Sequence, residues 1–123
     1  MITDERIASF INSFNNDYDD AITAIRKEAE EQGVPIIRRE AGEFIRLLLR
    51  MKKPVNILEI GTAVGFSAIF MSRFIAEGGH ITTIENYQPR IDQAKENINI
   101  TGAIVQADDR CRKEDHSVRG RCK

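Results

Sequence analysis

An α/β fold, with a partial parallel sheet preceded by N-terminal helices, is predicted by three observations. The stretch Asn56-Ile57-Leu58-Glu59-Ile60-Gly61-Thr62-Ala63-Val64-Gly65-Phe66-Ser67 reads as a buried strand, a tight Gly-x-x-x-Gly loop and the start of a helix. A second apolar run, from His80 to Ile84, follows that helix almost at once. Before Pro54, apolar residues recur at helical spacing. A strand, helix, strand unit of roughly thirty residues crosses over right-handed and sets two parallel strands side by side. That order of elements is Rossmann-like.

Each element has its own local reason. Thr3 or Asp4 can cap a first helix whose Ile7, Phe10, Ile11 and Phe14 form one apolar stripe. The acidic link from Asn15 to Asp20 has neither a Gly at its turn nor a closing Glu, so it reads as a loop and helix cap, not a calcium site. A second helix runs through Ala21, Ile22, Ala24, Ile25 and Ala29, and Gly33 stops it before Pro35. A third covers about residues 38–51. Phe44, Ile45, Leu47, Leu48 and Leu49 make its apolar face, and Arg46, Arg50, Lys52 and Lys53 place positive charge toward the end where the helix dipole favours it. Pro54 ends it. The first strand, 55–60, and its loop lead to a helix over about 66–76, stopped by Gly78-Gly79. The second strand closes on Glu85. Pro89 then opens a helix through Ile91, Ala94, Ile98 and Ile100 that Thr101-Gly102 ends, and 103–107 can form a short strand.

Composition narrows the function classes. Eighteen basic and nineteen acidic residues leave a net charge of -1, so bulk charge favours neither nucleic acid nor membrane. No apolar run approaches the roughly 20 residues of a membrane span, and the N-terminus lacks the order of a secretory signal. A cytoplasmic location is expected. Length and a 41% hydrophobic content fit one domain. Cys111 and Cys122 lie together in the tail, which is not a disulfide framework, and with His116 they match no zinc-finger spacing.

The chemistry sits at the glycine loop. Gly61 and Gly65 would let a ligand approach the backbone, and the helix start offers unpaired N–H groups. Glu59 precedes the loop; at the end of an apolar strand it could bond loop amides, shape the loop or touch a ligand. Glu85 ends the second strand, where a carboxylate can accept ribose hydroxyl protons. A dinucleotide site would want Gly-x-Gly-x-x-Gly, but the third loop position is Ala63. A ligand with one ribose and no pyrophosphate, such as S-adenosylmethionine, therefore fits better than NAD.

Leu58 to Ser67, with Ile84-Glu85 after it and Pro35 to Phe44 before it, resembles the small class I O-methyltransferases: the catechol, caffeoyl-CoA and bacterial tRNA hydroxyuridine methyltransferases. The resemblance runs from the N-terminus to about Gly102. It implies S-adenosylmethionine as cofactor, a divalent ion such as magnesium in the full-length family, a small-molecule or tRNA hydroxyl as acceptor, and a possible homodimer through the N-terminal helices. By the same resemblance, Ser67 contacts the methionine carboxylate, Ile37 lies where the backbone meets the methionine end, and Glu85 holds the ribose. The regions are then an N-terminal helical part, 1–54, a partial S-adenosylmethionine-binding unit, 55–107, and a polar tail, 108–123.

From Asp108 onward the only apolar residues are Cys111, Val118 and Cys122, too few for the buried strand and Gly-Asp-Ala turn that the resemblance implies. Codons for Arg112 to Lys123 can be chosen so that reading one base later gives Gly-Arg-Arg-Ile-Ile-Leu-Tyr-Glu-Gly-Asp-Ala. A frameshifted tail is thus one expectation and a native solvated tail the other. Asp108 and Asp109 are not read as metal ligands, and no catalytic residue or metal ligand is assigned. The expected activity is O-methyl transfer by the family, with weak cofactor binding or none, and no turnover, by the 123 residues alone. The alternatives are a non-catalytic or dimerisation module and, behind it, an NAD-binding oxidoreductase fragment.

Overall fold

The computed structural model describes residues 4–13 and 18–108. Its elements are α1 (Glu5–Asn12), α2 (Asp20–Glu31), α3 (Arg39–Lys52), β1 (Asn56–Ile60), α4 (Phe66–Ser72), β2 (His80–Ile84), α5 (Gln88–Thr101) and β3 (Val105–Asp108). The strands form a parallel sheet in the order β1-β2-β3. Asn56 lies opposite His80 and Ile60 opposite Ile84, while Ile81 lies opposite Val105 and Ile84 opposite Asp108. The α/β, Rossmann-like partial sheet expected from the sequence is present.

Local chemistry sets the element ends. The Asp4 side chain accepts from the Arg6 amide at 2.8 Å at the start of α1. Asp19 accepts from the Ile22 amide at 2.9 Å and caps α2, the role expected of the acidic link. Lys53, in a left-handed conformation, closes α3 by donating its amide to the Leu49 carbonyl, just before Pro54. Gly102 closes α5 in the same conformation. The helix after the loop is shorter than its apolar pattern suggests. It ends at Ser72 because the Arg73 and Phe74 amides reach back only three residues, to the Phe70 and Met71 carbonyls, tightening the last turn. The chain then returns to the sheet through Gly79, where a Cβ would lie 2.6 Å from the Val55 carbonyl oxygen. Only glycine lets β2 start this close to β1.

One core joins the helical region to the strand unit. Ile22, Ile25 and Ala29 of α2 pack with Val34, Val64, Phe66 and Ile69. Helices α4 and α5 lie against the sheet, and α2 contacts both. Buried Ile81 and Thr83 of β2 alternate with more open residues, as the pleat requires. The first strand differs from expectation: Leu58 is 65% exposed and Ile60 83%. Strand β1 is the sheet edge, and among the described residues nothing covers these two side chains. Sequence pattern registers their hydrophobicity but not the missing neighbour.

Residues 1–3, 14–17 and 109–123 lie outside the described residues, and with them the expectations for Thr3, Phe14, the Asn15 to Asp17 link, Cys111, His116, Cys122 and the frameshifted or native tail. Strand β3 includes Asp108, one residue beyond the expected strand end. Among the described residues no helix is long and apolar enough to cross a membrane.

Candidate functional site at the glycine loop

The ends of β1 and β2 are tied together by main-chain bonds. The Gly61 and Thr62 amides both donate to the Ile84 carbonyl, at 2.9 and 3.2 Å. The glycine loop and Glu85 are thereby held at the carboxyl edge of the parallel strands, the place where α/β sheets bind ligands. Gly61 has φ +93°, and a Cβ there would meet nothing within 4 Å. Its backbone conformation requires glycine, and the space before it is open. Gly65 differs. It shares the left-handed backbone, with φ +82°, but is buried against α5, where an added Cβ would lie 3.5 Å from Ala94 Cβ, an ordinary contact, so its conformation asks for glycine and its space does not.

Glu85 is engaged by main chain on both oxygens. Oε2 accepts from the Ala63 amide at 3.0 Å, and Oε1 from the Asn86 and Tyr87 amides at 2.9 and 3.2 Å. Partial burial is the largest single influence on this carboxyl and raises its pKa, but the three amides and the Arg90 charge together outweigh it and hold the group below its ordinary value. Glu59 bonds side chains, not loop amides. The Ser67 hydroxyl donates to one of its oxygens and the Thr83 hydroxyl to the other, at 2.6 Å. Thr83 and Thr62 hydroxyls stand 2.7 Å apart. A hydroxyl has one proton, so with Thr83 donating to Glu59, Thr62 is the donor to Thr83. This chain of bonds links the start of α4 to the middle of the sheet.

A cleft of about 230 Å³ opens beside this network. It is lined by Pro35, Ile36 and Ile37 from the α2–α3 connection and by Glu59, Gly61, Thr62, Phe66 and Ser67, among others. Four of the six residues singled out from the sequence, Ile37, Glu59, Gly61 and Ser67, are therefore brought together, while Gly65 and Glu85 stand outside the lining. The volume is below the roughly 300–1,000 Å³ of typical small-molecule sites. It suits one end of a ligand. Among the described residues no group of three or more His, Cys, Asp or Glu side chains could hold a metal ion.

Sequence reasoning missed Thr62, Thr83 and Asn97. Asn97 is buried and donates from Nδ2 to the Val64 carbonyl at 2.8 Å, fixing the loop to α5. Its signal was present: an amide on the same helix face as Ile91 and Ala94 needs a buried partner. Thr83 likewise stands on the buried side of an apolar strand. Thr62 carried no such mark.

The sequence profile of the O-methyltransferase family matches residues 14–113. The match continues past Gly102 and takes in β3, so the likeness extends further than the motifs alone indicated. A catechol O-methyltransferase of Niastella koreensis is 32% identical over 104 residues, which are 83% of this chain and 47% of that protein. A methyltransferase from Geobacter sulfurreducens shares the fold with a TM-score of 0.77 at 23% identity, covering 88% of this chain and 58% of that one. The O-methyltransferase TomG from Streptomyces achromogenes, solved in complex with SAM, gives a TM-score of 0.73 at 25% identity over 87% of this chain and 51% of its own. The chain spans about half the length of these relatives.

Proposed function

The chain belongs to the O-methyltransferase family, and from that premise we propose that its glycine-loop cleft is the S-adenosylmethionine part of a methyl-transfer site. One observation carries the reading: Gly61, forced to be glycine by its backbone, faces open space at a cleft with Glu59 and Ser67 as polar groups and Ile36, Ile37 and Phe66 as apolar ones. Such a lining suits a ligand end that is polar and charged at its tip and largely aliphatic along its stem. The relative solved with SAM supports the choice of cofactor.

The residue roles follow from their hydrogen-bonding capacity. Oε2 of Glu85 accepts one amide and retains a lone pair that can take a ribose hydroxyl proton. Ser67 gives its single proton to Glu59, so receiving the methionine carboxylate requires that hydroxyl to turn, leaving Glu59 free to accept from the ligand's amino group. Ile37 lends the wall of the methionine end and Gly65 supports the loop through α5. When bound, S-adenosylmethionine supplies an electrophilic methyl group; these residues bind and orient it. The acceptor in this proposal is a small-molecule hydroxyl, as the catechol O-methyltransferase relative suggests, with a tRNA hydroxyl as the other member of the class. No described residue is assigned as base or metal ligand, and we propose no turnover by these residues alone.

The test is an NMR titration of the 123-residue chain with S-adenosylhomocysteine and, separately, with NAD. Shifts confined to the 61–67 loop, the Ile36 and Ile37 amides and the Glu85 to Tyr87 amides, with S-adenosylhomocysteine only and an affinity near the millimolar range, or about -4 kcal/mol, are expected. A flat titration, or a response to NAD instead, overturns the reading. Methylation of a catechol by the pure chain with magnesium present would refute the predicted lack of turnover.

A further inference from the structure

Arg26 is a charged side chain in the wrong place for a solvated helix. It lies in α2, which carries its other charged residues outward, yet it is only 8% exposed. Its guanidinium carbon stands 4.5 Å from the centre of the Phe66 ring and 5.3 Å from that of Tyr18. One terminal nitrogen donates to the Ile37 carbonyl at 3.2 Å, and the other to Glu30 at 3.3 Å. The Glu30 side chain is 60% exposed, so it anchors the guanidinium only from the solvent side. Among the described residues Nε has no hydrogen-bond partner.

Two of these contacts belong to the cleft. Ile37 lies in the connection between α2 and α3 that forms one part of its lining, and Phe66 is the first residue of α4, directly after the glycine loop. An aromatic face is a good partner for a desolvated guanidinium. The planar fork matters. The guanidinium bonds a carbonyl in its plane while presenting a flat face to a ring, a geometry that a compact ammonium does not match.

We propose that Arg26 is a positioning residue that fixes the 35–37 wall of the cleft against the start of α4. This rests on the cofactor reading above for its functional consequence, but the positioning itself is independent of any ligand. It acts through Ile37 and Phe66 and touches no reacting atom.

Two variants test it, Arg26→Met, which keeps the stem, and Arg26→Lys, which keeps stem and charge but not the fork. Both are first checked for a cooperative thermal transition. Backbone order parameters at Ile36, Ile37 and Arg38, measured without ligand, are expected to fall from about 0.85 to below about 0.6 in both variants, while those of β2 stay unchanged. Affinity for S-adenosylhomocysteine is expected to fall at least about tenfold. Unchanged order parameters in whichever variant folds overturn the proposal, as does a uniform fall across the chain, which is the mark of a merely structural role. A loosened wall with unaltered affinity overturns its link to binding. If the parent chain binds no S-adenosylhomocysteine, the cofactor reading falls, and the order parameters still decide the role of Arg26.

Discussion

Glu85 is spoken for by main chain before any ligand arrives. Three amides, one of them from the glycine loop, converge on its carboxylate, so the group that would hold a ribose also holds the loop that would admit it. Its lowered pKa has a definite sign in stability. The contribution is fully present above the ordinary glutamate value of about 4.3 and is lost as pH falls through the lowered folded value. Glu40, lowered first by its own backbone amide and then by the Asn12 side-chain amide, behaves in the same sense. Glu85→Gln should therefore flatten, but not abolish, the decline in melting temperature between about pH 5 and 3. Identical pH profiles for the two proteins would refute the assignment. That Glu85 matters was legible from its place at a strand end. That Ala63 is its partner was not, because the contact joins residues brought together only when β1 and β2 pair.

The N-cap of α2 is an element-scale feature visible in the sequence and verifiable by substitution. Asp19 also lies 3.3 Å from Arg73, so its charge and its cap must be separated. Asp19→Ala should cost about 1 kcal/mol of unfolding free energy, and Asp19→Asn much less, since asparagine caps equally well and an exposed ion pair contributes little. Equal losses in chemical denaturation would assign the effect to the ion pair. The capping chemistry was readable because it depends on residues within one turn. The true length of α4 was not. Apolar residues continue through Phe74 and Ile75, but the chain must leave the helix after Ser72 to reach Gly79 and the start of β2. Arg26 shows the same limit: its helix position marks it as a charge near the apolar face of α2, and only the packing of Phe66 and Ile37 around it gives that charge a purpose.

At the scale of the molecule, the sheet is covered on one side by α4 and α5, and among the described residues the outer side of β1 is bare. Parallel sheets are ordinarily buried on both faces, so exposed Leu58 and Ile60 are unusual for this architecture. The expected consequence is quantitative. Leu58→Thr with Ile60→Thr should change stability by less than about 0.5 kcal/mol per site, the range of surface substitutions, where buried apolar residues would cost several times more. A large fall in melting temperature would mean that these side chains are covered in solution. By contrast, truncating Ile69 of α4, fully buried against α2, to alanine should cost about 2–5 kcal/mol, measured in the same denaturation series.

The parallel α/β order, the glycine loop, the caps at Asp19 and Gly102 and the acids at the strand ends were legible in the chain, because each follows from periodicity, conformational preference or a partner a few residues away. Long-range packing set the rest. It set Gly61 facing an open cleft and Gly65 facing α5, joined Ser67, Glu59, Thr83 and Thr62 in one line of hydrogen bonds, and drew Arg26 under the wall formed by Ile37. The physical reason is range. A residue's conformation answers to its neighbours in the chain, whereas its burial and its hydrogen-bond partners answer to whatever the folded chain places beside it.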